Sequence, residues 1–197
     1  MRIIKTVKKE IRIIGIDDSP FDKYTQRKAL VVGTIYRGGD FPDGIVSTKV
    51  NIDGSDSTKK LIEMINNSKH KSQLQIIMLD GIAFGGFNVV DVHQLSKETN
   101  LPVITIMRDY RKMEKIEIAI KNVKFPEKKI GLIRAAGKVH KAMIHEKPVY
   151  FQNVGIEFDQ VVEILKMPCT RSVVPEPIRM SHLIASGIAV GESKGRA

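Results

Sequence analysis

Several residue types and segments that would indicate particular classes of protein are scarce or absent. The 197 residues include one cysteine, Cys169, and no tryptophan. A single cysteine excludes an intrachain disulfide and favours a reducing, cytoplasmic location with no disulfide-linked partner. The longest apolar runs span about eight residues, far fewer than the roughly 20 that cross a bilayer, so we expect no membrane partner.

Sequence motifs for several common activities are also absent. The chain contains no His-Glu-x-x-His, no Cys-x-x-Cys, no Gly-x-Ser-x-Gly and no Gly-x-x-x-x-Gly-Lys-[Ser/Thr]. Zinc proteases, zinc fingers, α/β-hydrolases and P-loop nucleotide-binding proteins therefore have no support in the sequence.

Positive charge, in contrast, is abundant. Lysine and arginine number 32 against 22 acidic residues, which gives a net charge of +10 and a pI of about 9.7. An excess of this size attracts phosphate polymers, and nucleic acid is the expected partner. Aromatic residues make up only 6% of the chain, so its composition does not indicate an aromatic platform for stacking bases.

The apolar pattern predicts one α/β domain over residues 1–197, because no linker-like segment divides the chain. Predicted strands lie near 11–17, 29–36, 44–52, 73–79, 102–107 and 148–154. The first, fourth and fifth of these are nearly continuous apolar runs, which are typical of strands covered on both faces. The second and third are close in sequence, which favours antiparallel pairing. Predicted helices lie near 59–67, 89–99, 114–123, 126–136, 157–165 and 175–187.

Two aspartates follow predicted strands that are covered on both faces. Asp17 ends the first strand, and Asp80 ends the strand at 73–79. Ligands of open α/β sheets bind outside the C-terminal ends of the strands. Two carboxylates brought together there repel each other, and a divalent cation removes that repulsion; oxygen ligands favour Mg²⁺ or Mn²⁺. The alternative is that each aspartate only stabilises the turn that follows it.

Three further features have both an ordinary and a functional interpretation. Asp56 precedes the predicted helix at 59–67, where capping preference favours an N-cap. Arg179, His182 and Ser186 lie one turn apart on the last predicted helix, a spacing that is also typical of an ordinary exposed helix face. The glycines that follow Asp80 predict a tight turn before a helix, and the backbone amides of such a turn can also bind phosphate.

Together, these motifs resemble a known family. They are Gly15-Ile16-Asp17-Asp18-Ser19-Pro20-Phe21, Arg37-Gly38-Gly39, Asp53-Gly54-x-Asp56-x-Thr58, the run from Met78 to Asp91, Pro102-Val103-Ile104, Pro175-Glu176-Pro177-Ile178-Arg179-Met180-Ser181-His182-Leu183 and the tail from Gly191 to Ala197. The combination resembles the uncharacterised, UPF0215-type family called domain of unknown function 99 over essentially the whole chain. That family is in turn similar to endonuclease V, which has the ribonuclease-H fold.

The resemblance implies a fold, a site and an activity. The implied fold is α/β and ribonuclease-H-like, with a mixed five-stranded sheet flanked by helices: three antiparallel strands, then two parallel ones. In the implied site, Asp17 and Asp80 bind Mg²⁺ or Mn²⁺, His182 lies near the metal, and Asp56 is the third acidic residue, with Asp53 as its rival. The implied activity is metal-dependent endonucleolytic cleavage of phosphodiester bonds in DNA or RNA.

The candidates for binding the nucleic-acid backbone are Arg37, Arg179, Lys194 and Arg196. One departure from endonuclease V is that Gly86 stands where that family has a histidine. Two other hypotheses stay open: a non-catalytic nucleic-acid-binding protein on the same fold, and a small-molecule phosphohydrolase that uses the same carboxylates. The absence of metal-dependent cleavage would favour the first of these two, and a screen of phosphate esters would test the second.

Overall fold

A computed structural model describes residues 7–107, 113–170 and 172–193. Within these ranges the strands are β1 (Arg12–Asp18), β2 (Lys28–Arg37), β3 (Phe41–Asn51), β4 (Ile76–Asp80), β5 (Ala83–Phe84), β6 (Asn88–Val89), β7 (Val103–Met107), β8 (His140–Ile144) and β9 (Lys147–Val154). The helices are α1 (Ser57–Asn66), α2 (Val92–Thr99), α3 (Met113–Ile120), α4 (Pro126–Ala135), α5 (Phe158–Leu165) and α6 (Glu176–Val190). None of the helices in the described ranges is long and apolar enough to span a bilayer.

One mixed sheet contains most of the strands, in the order β3-β2-β1-β4-β7-β9-β8. β1 and β2 pair antiparallel, as do β2 and β3, whereas β1, β4 and β7 run parallel to one another. Three antiparallel strands followed by two parallel ones is the order that the resemblance to the ribonuclease-H fold implies. The α/β fold class and the antiparallel pairing of the second and third strands are therefore confirmed.

The predicted number of strands, five, is wrong because the sheet has seven. β9 pairs antiparallel with β7, and β8 pairs with β9 through a two-residue turn at His145 and Glu146. Both turn residues have positive φ, 48° and 64°, as the tight turns that match strand twist require. The extra hairpin covers the edge that β7 would otherwise leave open, and it buries Val149 and Phe151 in the core.

Hydrophobic side chains fill both faces of the central strands. In β1, Ile14 and Ile16 pack into the cluster that includes α1 and α2, while Ile13 points to the opposite cluster with α5 and α6. In β4, Ile77 and Leu79 face the first cluster, and Ile76 and Met78 face the second. Burial on both faces explains why these strands are continuous apolar runs rather than alternating ones.

Helix α6 is fixed against β1 and β2 by close backbone packing. A Cβ atom at Gly15 would lie 2.4 Å from the backbone of Pro177, so only glycine permits this approach. Ser181 Oγ donates to the carbonyl of Gly15 at 2.8 Å and accepts from the backbone N–H of Thr34 at 3.0 Å. These contacts place the next residue of the helix, His182, beside the C-terminal end of β1.

Candidate functional site

A cleft of about 340 Å³ opens where β1 and β4 end; we call it the acidic cleft. Its lining residues are Asp17, Asp18, Ser19, Pro20, Phe21, Asp80 and His182. β1 and β4 are parallel neighbours with Ile16 opposite Leu79, so the aspartates that follow these residues meet at the same sheet edge. The structure thus brings together Asp17, Asp80 and His182, three of the residues that the sequence analysis selected.

The buried carboxylate of Asp17 orients His182. Asp17 is 5% exposed, and its Oδ2 accepts a hydrogen bond from Nδ1 of His182 at 2.9 Å. Because a carboxylate oxygen is the acceptor, Nδ1 is the nitrogen that carries a proton in this hydrogen bond. The second oxygen of Asp17 accepts from the backbone N–H of Asp18 at 2.8 Å. Both oxygens are therefore held in place, as a ligand or an orienting group requires.

Asp18 also lines the acidic cleft, although neighbouring strand residues point to opposite faces of a sheet. Both aspartates reach the cleft because it lies beyond the end of β1 rather than on one face. Oδ2 of Asp18 accepts from the backbone N–H of Gly85 at 2.6 Å. Burial, together with the charges of Asp17 and Asp80, raises the pKa of Asp18 to about 7 despite this hydrogen bond. Asp18 is thus close enough to both carboxylates to be repelled by them.

The chemistry of this donor set suits a hard divalent cation. Carboxylate oxygens are the ligands that Mg²⁺ prefers, and Mg²⁺ is commonly held by one or two carboxylates while it keeps several waters. Across the described residues, no three or more His, Cys, Asp or Glu side chains form a ready-made metal-binding group. The acidic cleft thus offers carboxylates of the kind that Mg²⁺ prefers, but the described residues do not supply a set of three protein ligands.

The structure does not bring Asp56 to the acidic cleft. Its Oδ1 accepts from the backbone N–H of Asn51 at 3.1 Å and from Nδ2 of Asn88 at 2.6 Å, and its Oδ2 accepts from Nδ2 of Asn51. Asp56 occupies the N-cap position of α1, but its side chain makes no capping hydrogen bond. The carboxylate instead fixes the loop between β3 and α1. Asp18, not Asp56, is the third acidic residue that lines the cleft.

Asp53, the rival of Asp56, also has a structural partner. Its Oδ1 accepts from the backbone N–H of Phe87 at 2.8 Å. The segment that contains Phe87 was predicted as a tight turn, but it forms the short β5–β6 hairpin. Gly86, in that hairpin, has a φ of 83°, and a Cβ atom there would lie 2.5 Å from Asp53 Oδ1. The amides of Gly85 and Phe87 donate to aspartates, which leaves neither available for a phosphate.

The described candidates for backbone binding do not line the acidic cleft. The guanidinium of Arg179 forms an ion pair with Glu176 at 2.6 Å. Arg37 lies opposite Arg12 in the sheet, at the other end of β1. Lys194 and Arg196 lie outside the described residues. Ser186 is fully buried, so the spacing from Arg179 to Ser186 does not mark an exposed helix face.

The sequence analysis missed Lys129, a buried lysine on α4. Its side chain is 2% exposed, and Nζ donates to the carbonyl oxygens of Asp53, Gly54 and Phe87 at 2.6–2.7 Å. Burial lowers the pKa of Lys129, and the charge of Asp53 opposes that shift. Lys129 joins α4 to the β3–α1 loop and to the β5–β6 hairpin. No signal in the sequence distinguishes it from the other basic residues.

Comparison with known proteins identifies close relatives. The family model described as Endonuclease dU matches residues 9–189. A UPF0215 protein of Methanothermobacter thermautotrophicus is 48% identical over 195 residues, which cover 98% of this chain and 95% of that protein. The crystal structure of a protein of unknown function from Archaeoglobus fulgidus is 38% identical, with a TM-score of 0.83 over 92% of this chain and 99% of that one.

A more distant likeness concerns the fold alone. Endonuclease V of Ciona intestinalis, in complex with a 24mer DNA containing an inosine followed by a ribo-adenosine, has a TM-score of 0.55 at 18% identity. The superposition covers 87% of this chain and 82% of the Ciona protein. The predicted similarity to endonuclease V is therefore confirmed at the level of the fold.

Proposed function

Because the chain belongs to the endonuclease dU family, we propose that it is a divalent-metal-dependent endonuclease that hydrolyses phosphodiester bonds in nucleic acid. The observation that carries this proposal is the convergence of Asp17, Asp18 and Asp80 with His182 in one cleft. The family description includes dU, so DNA that contains deoxyuridine is the substrate we propose. The positive net charge of the chain suits a polyanionic substrate.

Each titratable residue of the acidic cleft has a role in this proposal. Asp17 and Asp80 would hold Mg²⁺ or Mn²⁺, and a divalent cation bound there would supply Lewis acidity and activate water. Asp17 also fixes the ring of His182 through Nδ1, and Nε2 would accept or deliver a proton. Asp18 adds negative charge beside both ligands, and its hydrogen bond to Gly85 fixes the neighbouring hairpin.

Cleavage of a labelled panel tests the proposal. The panel contains single- and double-stranded DNA and RNA, with deoxyuridine or inosine in matched sequences, in Mg²⁺, Mn²⁺ or EDTA. We expect metal-dependent cleavage of deoxyuridine DNA by the wild type and a loss of about 10³-fold in Asp80→Asn, equivalent to about 4 kcal/mol of barrier. Asp40→Asn is the matched control, because Asp40 is an exposed carboxylate in the β2–β3 turn.

The results also separate the alternatives. Cleavage that persists in Asp80→Asn would remove Asp80 from the mechanism. Binding in EDTA without cleavage of any substrate would instead support a non-catalytic nucleic-acid-binding protein. Hydrolysis of free nucleotides alone, with every polymer intact, would support a small-molecule phosphohydrolase.

A further inference from the structure

Helices α3 and α4 form a hairpin between β7 and β8, and an aromatic side chain is exposed at its tip. We call residues 121–128 the hairpin tip. Phe125 in this tip is 67% exposed and has a φ of 57°, in the left-handed region that residues with a side chain rarely adopt. Pro126 follows and begins α4. Core packing does not account for a phenylalanine presented to solvent in this conformation.

Positive charge surrounds the exposed ring. Lys121, Lys124 and Lys128 are all exposed, and the one acidic residue among residues 121–128 is Glu127. The tip therefore carries a net charge of about +2 around an apolar ring. Lysines bind phosphates, and an aromatic ring stacks on the face of any nucleobase. This combination matches a nucleic-acid strand better than it matches an apolar protein surface.

A chain of hydrogen bonds links the hairpin tip to the β5–β6 hairpin, and links that hairpin to the acidic cleft. One turn into α4, the backbone N–H of Lys129 donates to the carbonyl of Phe125 at 3.2 Å. Its Nζ holds the carbonyl of Phe87 in the β5–β6 hairpin. In the same hairpin, Gly85 donates to Asp18, which lines the cleft. Lys129 and the β5–β6 hairpin thus connect the backbone of Phe125 to the carboxylate of Asp18.

We infer that the hairpin tip is a nucleic-acid contact in which the Phe125 ring stacks on a base of the strand that enters the acidic cleft. Lys121, Lys124 and Lys128 bind the phosphates that flank this base. The inference rests on the proposed function, because it takes nucleic acid as the partner. It assigns a binding surface outside the acidic cleft and gives Lys129 a purpose, which is to hold that surface in place.

A single tryptophan tests the stacking directly. The chain has no tryptophan, so Phe125→Trp introduces the only indole, and base stacking quenches its fluorescence. The titration uses a single-stranded DNA that contains deoxyuridine, in EDTA, so no turnover is needed. Phe41→Trp is the matched control, since Phe41 is 69% exposed on β3 near the other end of β1. We expect saturable quenching in Phe125→Trp and little change in Phe41→Trp.

Affinity provides a second measurement. Loss of one base–aromatic stack predicts that Phe125→Ala weakens binding by about 5- to 150-fold, whereas Phe125→Trp restores it and Phe41→Ala has no effect. Replacing the three lysines by glutamine should reduce the slope of log K against log salt by about two, at about 0.7 per phosphate contact. Because Phe125 and these lysines are exposed, the variants should unfold at the wild-type temperature.

The outcomes distinguish this inference from the proposed function. Cleavage by the wild type with no quenching in Phe125→Trp, and unchanged affinity in Phe125→Ala, would overturn the role of the hairpin tip alone. Quenching with no cleavage would support the tip and count against the proposed endonuclease. If the wild type binds no nucleic acid in the panel, both fail.

Discussion

Two clefts lie at opposite ends of β1, and they shift the pKa of a carboxylate in opposite directions. The acidic cleft lies beyond Asp17. The other, which we call the basic cleft, has a volume of about 310 Å³ and is lined by Arg12, Arg37, Asp43, Lys69, His70 and Gln73. Arg12 begins β1, five residues before Asp17, so the two ends are roughly 17 Å apart at 3.3 Å per residue.

In the basic cleft, the carboxylate of Asp43 forms ion pairs with Arg12 and Arg37. Asp43 accepts from Nε of Arg12 at 3.0 Å and from Nη2 of Arg37 at 3.3 Å. Partial burial acts to raise the pKa of Asp43, but the two guanidinium groups outweigh burial and hold it below its usual value. In the acidic cleft, the described lining residues include no lysine or arginine, and the pKa of Asp18 is raised instead.

The two clefts differ in whether the protein itself supplies positive charge to the carboxylate: it does so for Asp43 but not for Asp18. A carboxylate with a lowered pKa is stabilised by its protein partners, whereas one with a raised pKa is stabilised by losing its charge or by gaining a cation. Both clefts contain polar residues at strand ends, so sequence position alone does not separate them. The direction of the pKa shift separates them: it is downward for Asp43 and upward for Asp18.

Asp18→Asn should stabilise the protein, which is the largest effect we expect. The pKa of Asp18 is about 7 in the folded protein against an ordinary value of 3.8, so ionised Asp18 opposes folding. This opposition is absent below pH 3.8, grows as the pH rises towards 7, and is then constant. At 1.36 kcal/mol per pKa unit, ionised Asp18 destabilises the folded protein by up to about 4 kcal/mol at pH 8, and the substitution removes this destabilisation. Urea unfolding at pH 5.5 and 8 in EDTA measures the gain.

The gain should be larger at pH 8 than at pH 5.5, because Asp18 is mostly protonated in the folded protein at the lower pH. Asparagine retains an oxygen that accepts from Gly85, so the hydrogen bond is kept. A loss of stability at pH 8 would show that Asp18 is needed by the fold, as Asp43 is. The carboxylates of the two clefts would then both stabilise the fold.

A divalent cation should stabilise the acidic cleft alone. Ligand at 100 times its Kd adds about 2.7 kcal/mol to the folded state. For a chain of this size, that is a rise in Tm of about 5–10 °C. We expect Mg²⁺ or Mn²⁺ to raise the Tm of the wild type and of Asp43→Asn, but not of Asp80→Asn. Equal shifts in all three proteins, measured by calorimetry, would place the ion elsewhere.

The sequence predicted more of the fold than of the site. The central strands were predicted within a few residues, because strands buried on both faces must be continuous apolar runs. The β8–β9 hairpin was only half predicted, since β8 is an edge strand with alternating exposure and Met143 faces solvent. Edge strands carry less apolar signal, so the apolar pattern missed β8, whereas the count of five strands came from the resemblance.

At the site, the residues at the strand ends were predictable, whereas the hydrogen-bond partners of the loop residues were not. Asp17 and Asp80 follow strong strand patterns, so their meeting was expected from register. Whether Asp56 or Asp18 lines the cleft depends on hydrogen bonds to Asn51 and Asn88 that span up to 32 residues of sequence. Spacing does not reveal such partners.

The smallest effect we expect is at Asp43, and it has the opposite sign to that at Asp18. Because the pKa of Asp43 is lowered in the folded protein, its ionised form stabilises the fold at neutral pH. That stabilisation is lost as the pH falls below the ordinary value near 3.8 and through the lower folded value. Asp43→Asn should therefore destabilise at pH 7 by no more than about 1 kcal/mol, since water screens partly exposed ion pairs. Urea unfolding in 0.05 and 0.5 M salt measures it: the deficit should shrink in high salt, and a stabilised Asp43→Asn would mean that both ends of β1 hold unfavourable charge.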